Sequence, residues 1–182
     1  MKRYFIIFFI LLVTPSLGLA KVKVSKKTIF YSVYGLNGNE IRNSMNSKRS
    51  GSYDAYTKWD IKWNYKWKNA GDKCKTSSLD VSIFVSYTLP KWKDEDKAGI
   101  DVKKKWSAYY KALLKHEQGH AKIGLKAANE IENILLSLRA DCYSFENIAN
   151  AKAKAIIKKY GKIEDEYDRS TNHGMKNGAV FP

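Results

Sequence analysis

The sequence predicts an α+β fold: a small antiparallel sheet packed on one long helix and a further helix, within a single domain over residues 21–182. Three observations carry this expectation. Residues 53–67 and 79–89 alternate apolar and polar with period two, as strands with one buried and one wet face do. From about Ile100 the apolar spacing turns helical and stays so to Leu138. A last helical stretch runs from Phe145 to Tyr160, with Ser144 placed to cap its start and Gly161 to stop it.

Residues 1–20 lie outside that domain. Met1-Lys2-Arg3 is cationic, Tyr4 to Val13 is apolar, and the small residues Gly18 and Ala20 close the segment. This is the order of a secretory signal peptide cleaved after Ala20. The alternative is an uncleaved anchor, for which the run is shorter than the roughly 20 residues a span needs. No later stretch is long and apolar enough to cross a bilayer, so no stable membrane span is expected after cleavage. Export to the periplasm or the exterior follows.

The elements come in order. Val22–Ser25 reads as a short strand and Thr28–Tyr34 as a β-rich stretch stopping at Gly35. Asn37 and Glu40 have capping-box spacing, and a helix from Gly38 to about Ser47 buries Ile41 and Met45. In residues 53–67 the odd positions include Trp59, Ile61, Trp63, Tyr65 and Trp67, and the even ones Lys58, Asp60, Lys62, Asn64 and Lys66. The aromatic stripe fits core packing; a ligand platform is the alternative. Ala70-Gly71-Asp72 is a turn. Leu79 to Leu89 is the second strand, which Pro90 is expected to end. The helix after Ile100 is so long that a bend or break is expected near Gly119 or Gly124. Ile163 to Pro182 has little periodicity and several glycines, and reads as an extended tail.

Lysine and arginine total 33 against 18 acidic residues, a formal charge of +15. Losing Lys2 and Arg3 lowers it by two, to +13. In a cytoplasmic chain that charge suggests nucleic acid. In an exported one it suggests anionic envelope polymers, lipid headgroups or acidic protein surfaces, and no nucleic acid. The two cysteines, Cys74 and Cys142, are an even number in an exported chain and favour one disulfide. Two free buried thiols are the alternative.

The chemistry centres on Lys115-His116-Glu117-Gln118-Gly119-His120, an H-E-x-x-H pattern. Residues four apart share a helix face, so His116 and His120 can present two nitrogens to one ion, with Glu117 beside them as a proton acceptor. The five-residue pattern also arises by chance. Its helical setting, with a buried stripe running through both histidines, raises its weight. A catalytic zinc takes three protein ligands and one water. Of the three histidines in the chain, His173 is the one remaining and is the expected third ligand. Glu146 is the runner-up, though a carboxylate in the first turn of a helix also complements its dipole.

Beyond the motif, the chain resembles a bacterial family, domain of unknown function 922, described as predicted secreted zinc-dependent proteases. The likeness rests on Cys74, Thr88-Leu89-Pro90-Lys91-Trp92, the H-E-x-x-H helix, Cys142, and the closing Tyr167-Asp168-x-x-Thr171-x-His173-Gly174 with Gly178 and Pro182. Asn177 departs from the glutamine common at its place. The resemblance implies a zincin-like metallopeptidase binding one zinc ion. On this reading zinc activates a water, Glu117 accepts its proton and passes it to the leaving amine. Tyr167 donates to the developing oxyanion or is a packing aromatic. Asp168 and Thr171 orient a ligand histidine, or Asp168 caps the turn that presents His173. The expected partner is a peptide or protein substrate. A non-catalytic zinc-stabilised envelope protein and a basic binding module are the competing functions.

Overall fold

The computed structural model describes residues 21–182; the expected signal peptide, residues 1–20, lies outside the described residues. The α+β class holds. The order of elements is β1 (Lys23–Val33), α1 (Gly38–Lys48), β2 (Tyr56–Asn69), β3 (Cys74–Trp92), α2 (Ile100–Leu136), β4 (Arg139–Ala140) and α3 (Phe145–Thr171). No helix among the described residues is long and apolar enough to cross a membrane.

The sheet order is β1-β3-β2, with the short β4 also on β3. β2 and β3 form the expected antiparallel hairpin, turning at Gly71 with a φ of 91°. Instead of a purely antiparallel sheet, the structure has a mixed one: β1 runs parallel to β3, from Lys23↔Ser82 to Val33↔Trp92. Parallel neighbours need a crossover between them, and α1 with β2 supplies it. The two strands expected at residues 22–34 are one continuous strand for the same reason, because β3 offers it an unbroken partner. Pro90 does not end β3. The last β2 pair is Tyr56↔Thr88, and beyond it β3 is paired through β1 alone. A missing N–H is tolerated where one side of a strand has no neighbour.

Asn37 caps α1 as its spacing implied: its side chain accepts from the Glu40 N–H at 3.0 Å, and Glu40 reaches back to the Leu36 N–H at 2.7 Å. Ser144 sits at the start of α3 but makes no cap; Asp141 instead accepts from the N–H groups of Tyr143 and Ser144.

The helices cover one face of the sheet. Val81, Ile83 and Val85 of β3 are buried with Ile131 and Leu135 of α2 and Ala149 and Ala153 of α3. The aromatic stripe of β2 packs into this layer, as the core reading required. Its indoles are fixed to α3, Trp59 Nε1 donating to Glu164 at 2.7 Å and Trp63 Nε1 to Asn150 at 3.0 Å. The lysines of β2 point the other way and are exposed.

Two helix lengths differ from expectation. α2 runs unbroken for 37 residues, about 55 Å. Its glycines mark close approach: a Cβ at Gly119 would overlap the Tyr167 ring, and one at Gly124 would lie 2.6 Å from Trp59 Cγ. α3 does not stop at Gly161 but continues through Tyr167 and Asp168 to Thr171, so the expected extended tail is largely helix. Gly161 costs a helix only about 1 kcal/mol relative to Ala, and antiparallel packing on α2 outweighs it. The pairing steps back along α2 as α3 advances, Glu130 with Lys159 and Tyr160, His120 with Glu164, His116 with Asp168.

Cys74 and Cys142 form a disulfide, with Cα atoms 4.9 Å apart, that ties the start of β3 to the α2–α3 connection. It closes a loop with a sequence separation of 68, for which the chain-entropy relation gives about 4 kcal/mol. Replacing both cysteines by alanine should lower unfolding free energy by roughly that amount, read from chemical denaturation as a lower midpoint, with a larger m-value because the unfolded chain is less compact.

Candidate metal centre

Helical spacing of four, used twice, builds the centre. On α2 it brings His116 and His120 to one buried face; on α3 it brings Glu164 and Asp168 to the face opposite. The histidine Nε2 atoms lie 3.3 Å apart. Asp168 Oδ1 lies 3.1 Å from His116 Nε2 and 3.0 Å from His120 Nε2. Three donors so spaced outline one face of the tetrahedron around a small ion with ligands at about 2.0–2.2 Å. Their donor chemistry, two imidazole nitrogens and a carboxylate oxygen, suits a divalent cation, and the group His116, His120 and Asp168 could hold one.

The remaining ring nitrogens are held from behind, as ligand histidines require. His120 Nδ1 lies 3.2 Å from Glu164 Oε1. His116 Nδ1 lies 3.5 Å from Thr171 Oγ1, a hydroxyl that itself donates to the Tyr167 carbonyl at 2.7 Å. Thr171 is thus placed beside His116.

The two histidines shift in opposite directions. Burial and the charge of His120 hold the His116 pKa below its ordinary value. Burial also opposes charge on His120, but the Glu164 hydrogen bond and the charges of Asp168 and Glu117 outweigh it and raise its pKa. The carboxylates around these rings thus favour positive charge where the nitrogens meet.

Glu117 follows His116 on α2 and is buried beside the triad. Thr57 of β2 donates to its Oε2 at 2.6 Å. Burial pushes the Glu117 carboxyl up, while the Thr57 hydrogen bond and the His120 charge act against that. A raised carboxyl is suited to taking and returning a proton near neutral pH.

The other expected residues are placed as follows. His173 stands beside Asp168, its Nδ1 3.4 Å from Asp168 Oδ1 and its Nε2 2.8 Å from Tyr53 Oη. Its ring stacks on Tyr53 at 3.9 Å. The chain presents it through left-handed backbone at Asn172 (φ 49°), His173 (φ 50°) and Gly174 (φ 80°). Two such non-glycine residues cost of order 1–3 kcal/mol each, a local strain focused on the site. Asp168, expected behind a ligand, instead stands among the donors. Tyr167 stacks on His116 with ring centroids 4.9 Å apart, and its hydroxyl donates to the His116 carbonyl at 3.3 Å. Glu146 is at the opposite end of α3, about 33 Å away along the helix.

Residues not anticipated from the sequence are Thr57, which holds Glu117, Glu164, which holds His120, and Tyr53, which holds His173. The Glu164–Asp168 spacing of four, matching His116–His120, was a usable signal; Thr57 and Tyr53 carried none. A cavity of about 350 Å³ opens in front of this group, lined on one wall by His116, Glu117, His120, Asp168 and His173.

Gly119 lets α3 approach closely enough for Asp168 to reach the histidines. Gly119→Ala should push Tyr167 outward, lower stability by about 1–3 kcal/mol and weaken metal binding. Thermal denaturation with and without added metal reads both effects.

No curated protein and no solved structure matches this chain. A model of a family of bacterial proteins of unknown function, DUF922, matches residues 28–174, a span that carries both the α2 and the α3 halves of the site, and the chain belongs to that family.

Proposed function

We propose that this chain is an exported zinc-dependent peptidase. The observation that carries the reading is the meeting of His116, His120 and Asp168 on one point, with the buried Glu117 carboxylate beside them and an open cavity in front. A structural ion has its coordination filled by protein and needs no free carboxylate next to it; a catalytic one keeps a position open.

Zinc bound there supplies Lewis acidity, polarising a carbonyl and acidifying a water. His116, His120 and Asp168 hold it, with Glu164 and Thr171 fixing the histidine rings. Glu117 takes the water proton at its Oε1, since Thr57 occupies Oε2, and delivers it to the departing amine. Tyr53 and His173 line the cavity and can donate hydrogen bonds into it. The Tyr167 hydroxyl is engaged with the α2 backbone and its ring keeps α2 and α3 in register. The disulfide supports export.

Mass-spectrometric profiling of a denatured proteome digested with the zinc-loaded mature protein tests the activity. New peptide ends should appear with zinc and vanish with chelator; a digest identical to the untreated proteome in both cases contradicts it.

A second reading applies to another surface. The sheet face away from the helices exposes Lys27, Lys58, Lys62 and Lys66, and supports binding to anionic envelope polymers. Such binding should weaken with salt and persist after zinc removal, which titration of heparin as a model polyanion would measure.

A further inference from the structure

The cavity in front of the triad is also lined by an arginine with most of its hydrogen-bonding capacity free. Arg42, Arg49 and Asp54 all line that cavity. Arg42 has four of its five N–H groups engaged, giving Nη1 to both Asp54 oxygens and Nε and Nη2 to the Phe181 carbonyl. The Asp54 carboxylate is saturated too, accepting in addition from Arg49 Nη1 at 2.9 Å and Tyr109 Oη at 2.8 Å. Arg49 has that one partner among the described residues. A guanidinium has five N–H groups, so four of them remain for a ligand. The side chain is at 25% exposure, and its unpaired N–H groups are not sealed from solvent, so an incoming ligand can reach them.

The charges point the same way. Arg42 and Arg49 share a single carboxylate, Asp54. Glu117 is assigned to the proton and Asp168 to the ion, so the cavity lining offers Arg49 no second anion.

We infer that Arg49 is a specificity-determining residue that selects substrates bearing a carboxylate within a residue or two of the scissile bond. This rests on the peptidase reading above, because the cavity that Arg49 lines is the one in front of the triad. One cavity of about 350 Å³ is lined by Arg49 and by the triad residues alike, so a single ligand held there can contact both. A guanidinium pairs with a carboxylate through two parallel N–H···O bonds. The carboxylate comes from the C-terminus of a peptide or from an aspartate or glutamate side chain.

Three synthetic ligands separate the possibilities, each carrying a succinyl hydroxamate to chelate the ion: one ending in leucinamide, one in leucine with a free α-carboxylate, and one in glutamic acid α-amide. Their affinities for the zinc-loaded mature protein are measured calorimetrically at low salt. The free-carboxylate or the glutamate compound should bind tenfold or more tighter than the leucinamide, as expected for charge-assisted hydrogen bonds, and which of the two gains identifies the source. Arg49→Met should erase that advantage while leaving leucinamide affinity unchanged, and Arg49→Lys should restore only part of it. Equal affinities of all three ligands in the wild type overturn the inference, and this arm does not depend on any variant folding. An advantage that survives Arg49→Met overturns it as well. If leucinamide hydroxamate itself fails to bind, the metal reading fails and this inference falls with it.

Discussion

Glu117→Gln should bind metal as the wild type does and lose turnover by about 10²–10⁴-fold, the usual contribution of a positioned general base. The exchange is isosteric, and the amide oxygen can still accept the Thr57 hydroxyl that now bonds Glu117 Oε2 at 2.6 Å. Glu117 is not among the three converging donors, so the metal has no reason to leave. What the amide cannot do is accept a proton and return it. Metal content and steady-state rates on one purified preparation separate the cases. Full metal with wild-type turnover would show that Glu117 is not the base. Loss of metal with loss of turnover would show that it holds the site together.

Where the sequence was legible, local chemistry decided the outcome. His116 and His120 face inward because helical spacing and the buried stripe agree. The β2–β3 hairpin follows from two period-two stretches joined by a glycine turn. The Asn37 cap follows from the spacing of two side chains. The disulfide follows from the even cysteine number.

The rest depended on partners far along the chain. Pro90 and Gly161 read as stops because local propensity disfavours them. In the fold, pairing with β1 carries the strand past one, and packing against α2 carries the helix past the other. Gly119 and Gly124 look like bends, yet each marks where an aromatic ring from another element comes close. Parallel pairing of β1 with β3 leaves no mark on the alternation of either strand. That Asp168 joins the two histidines as a possible donor was hidden for a related reason. Histidines are scarce, so counting them leads to His173, whereas carboxylates are common and Asp168 is hidden among them. Only once α3 is known to run antiparallel to α2 does Asp168 come opposite His116.

An ion held between α2 and α3 by His116, His120 and Asp168 is tested most directly by zinc content and competition titration on the wild type, Asp168→Ala and His173→Ala. The wild type should carry about one zinc per chain. Losing a supporting partner of a metal ligand costs about 10–100-fold in affinity, so His173→Ala should fall within that range. Asp168→Ala removes a donor and should exceed it. The contradicting result is the reverse: Asp168→Ala binding zinc as tightly as the wild type while His173→Ala loses it.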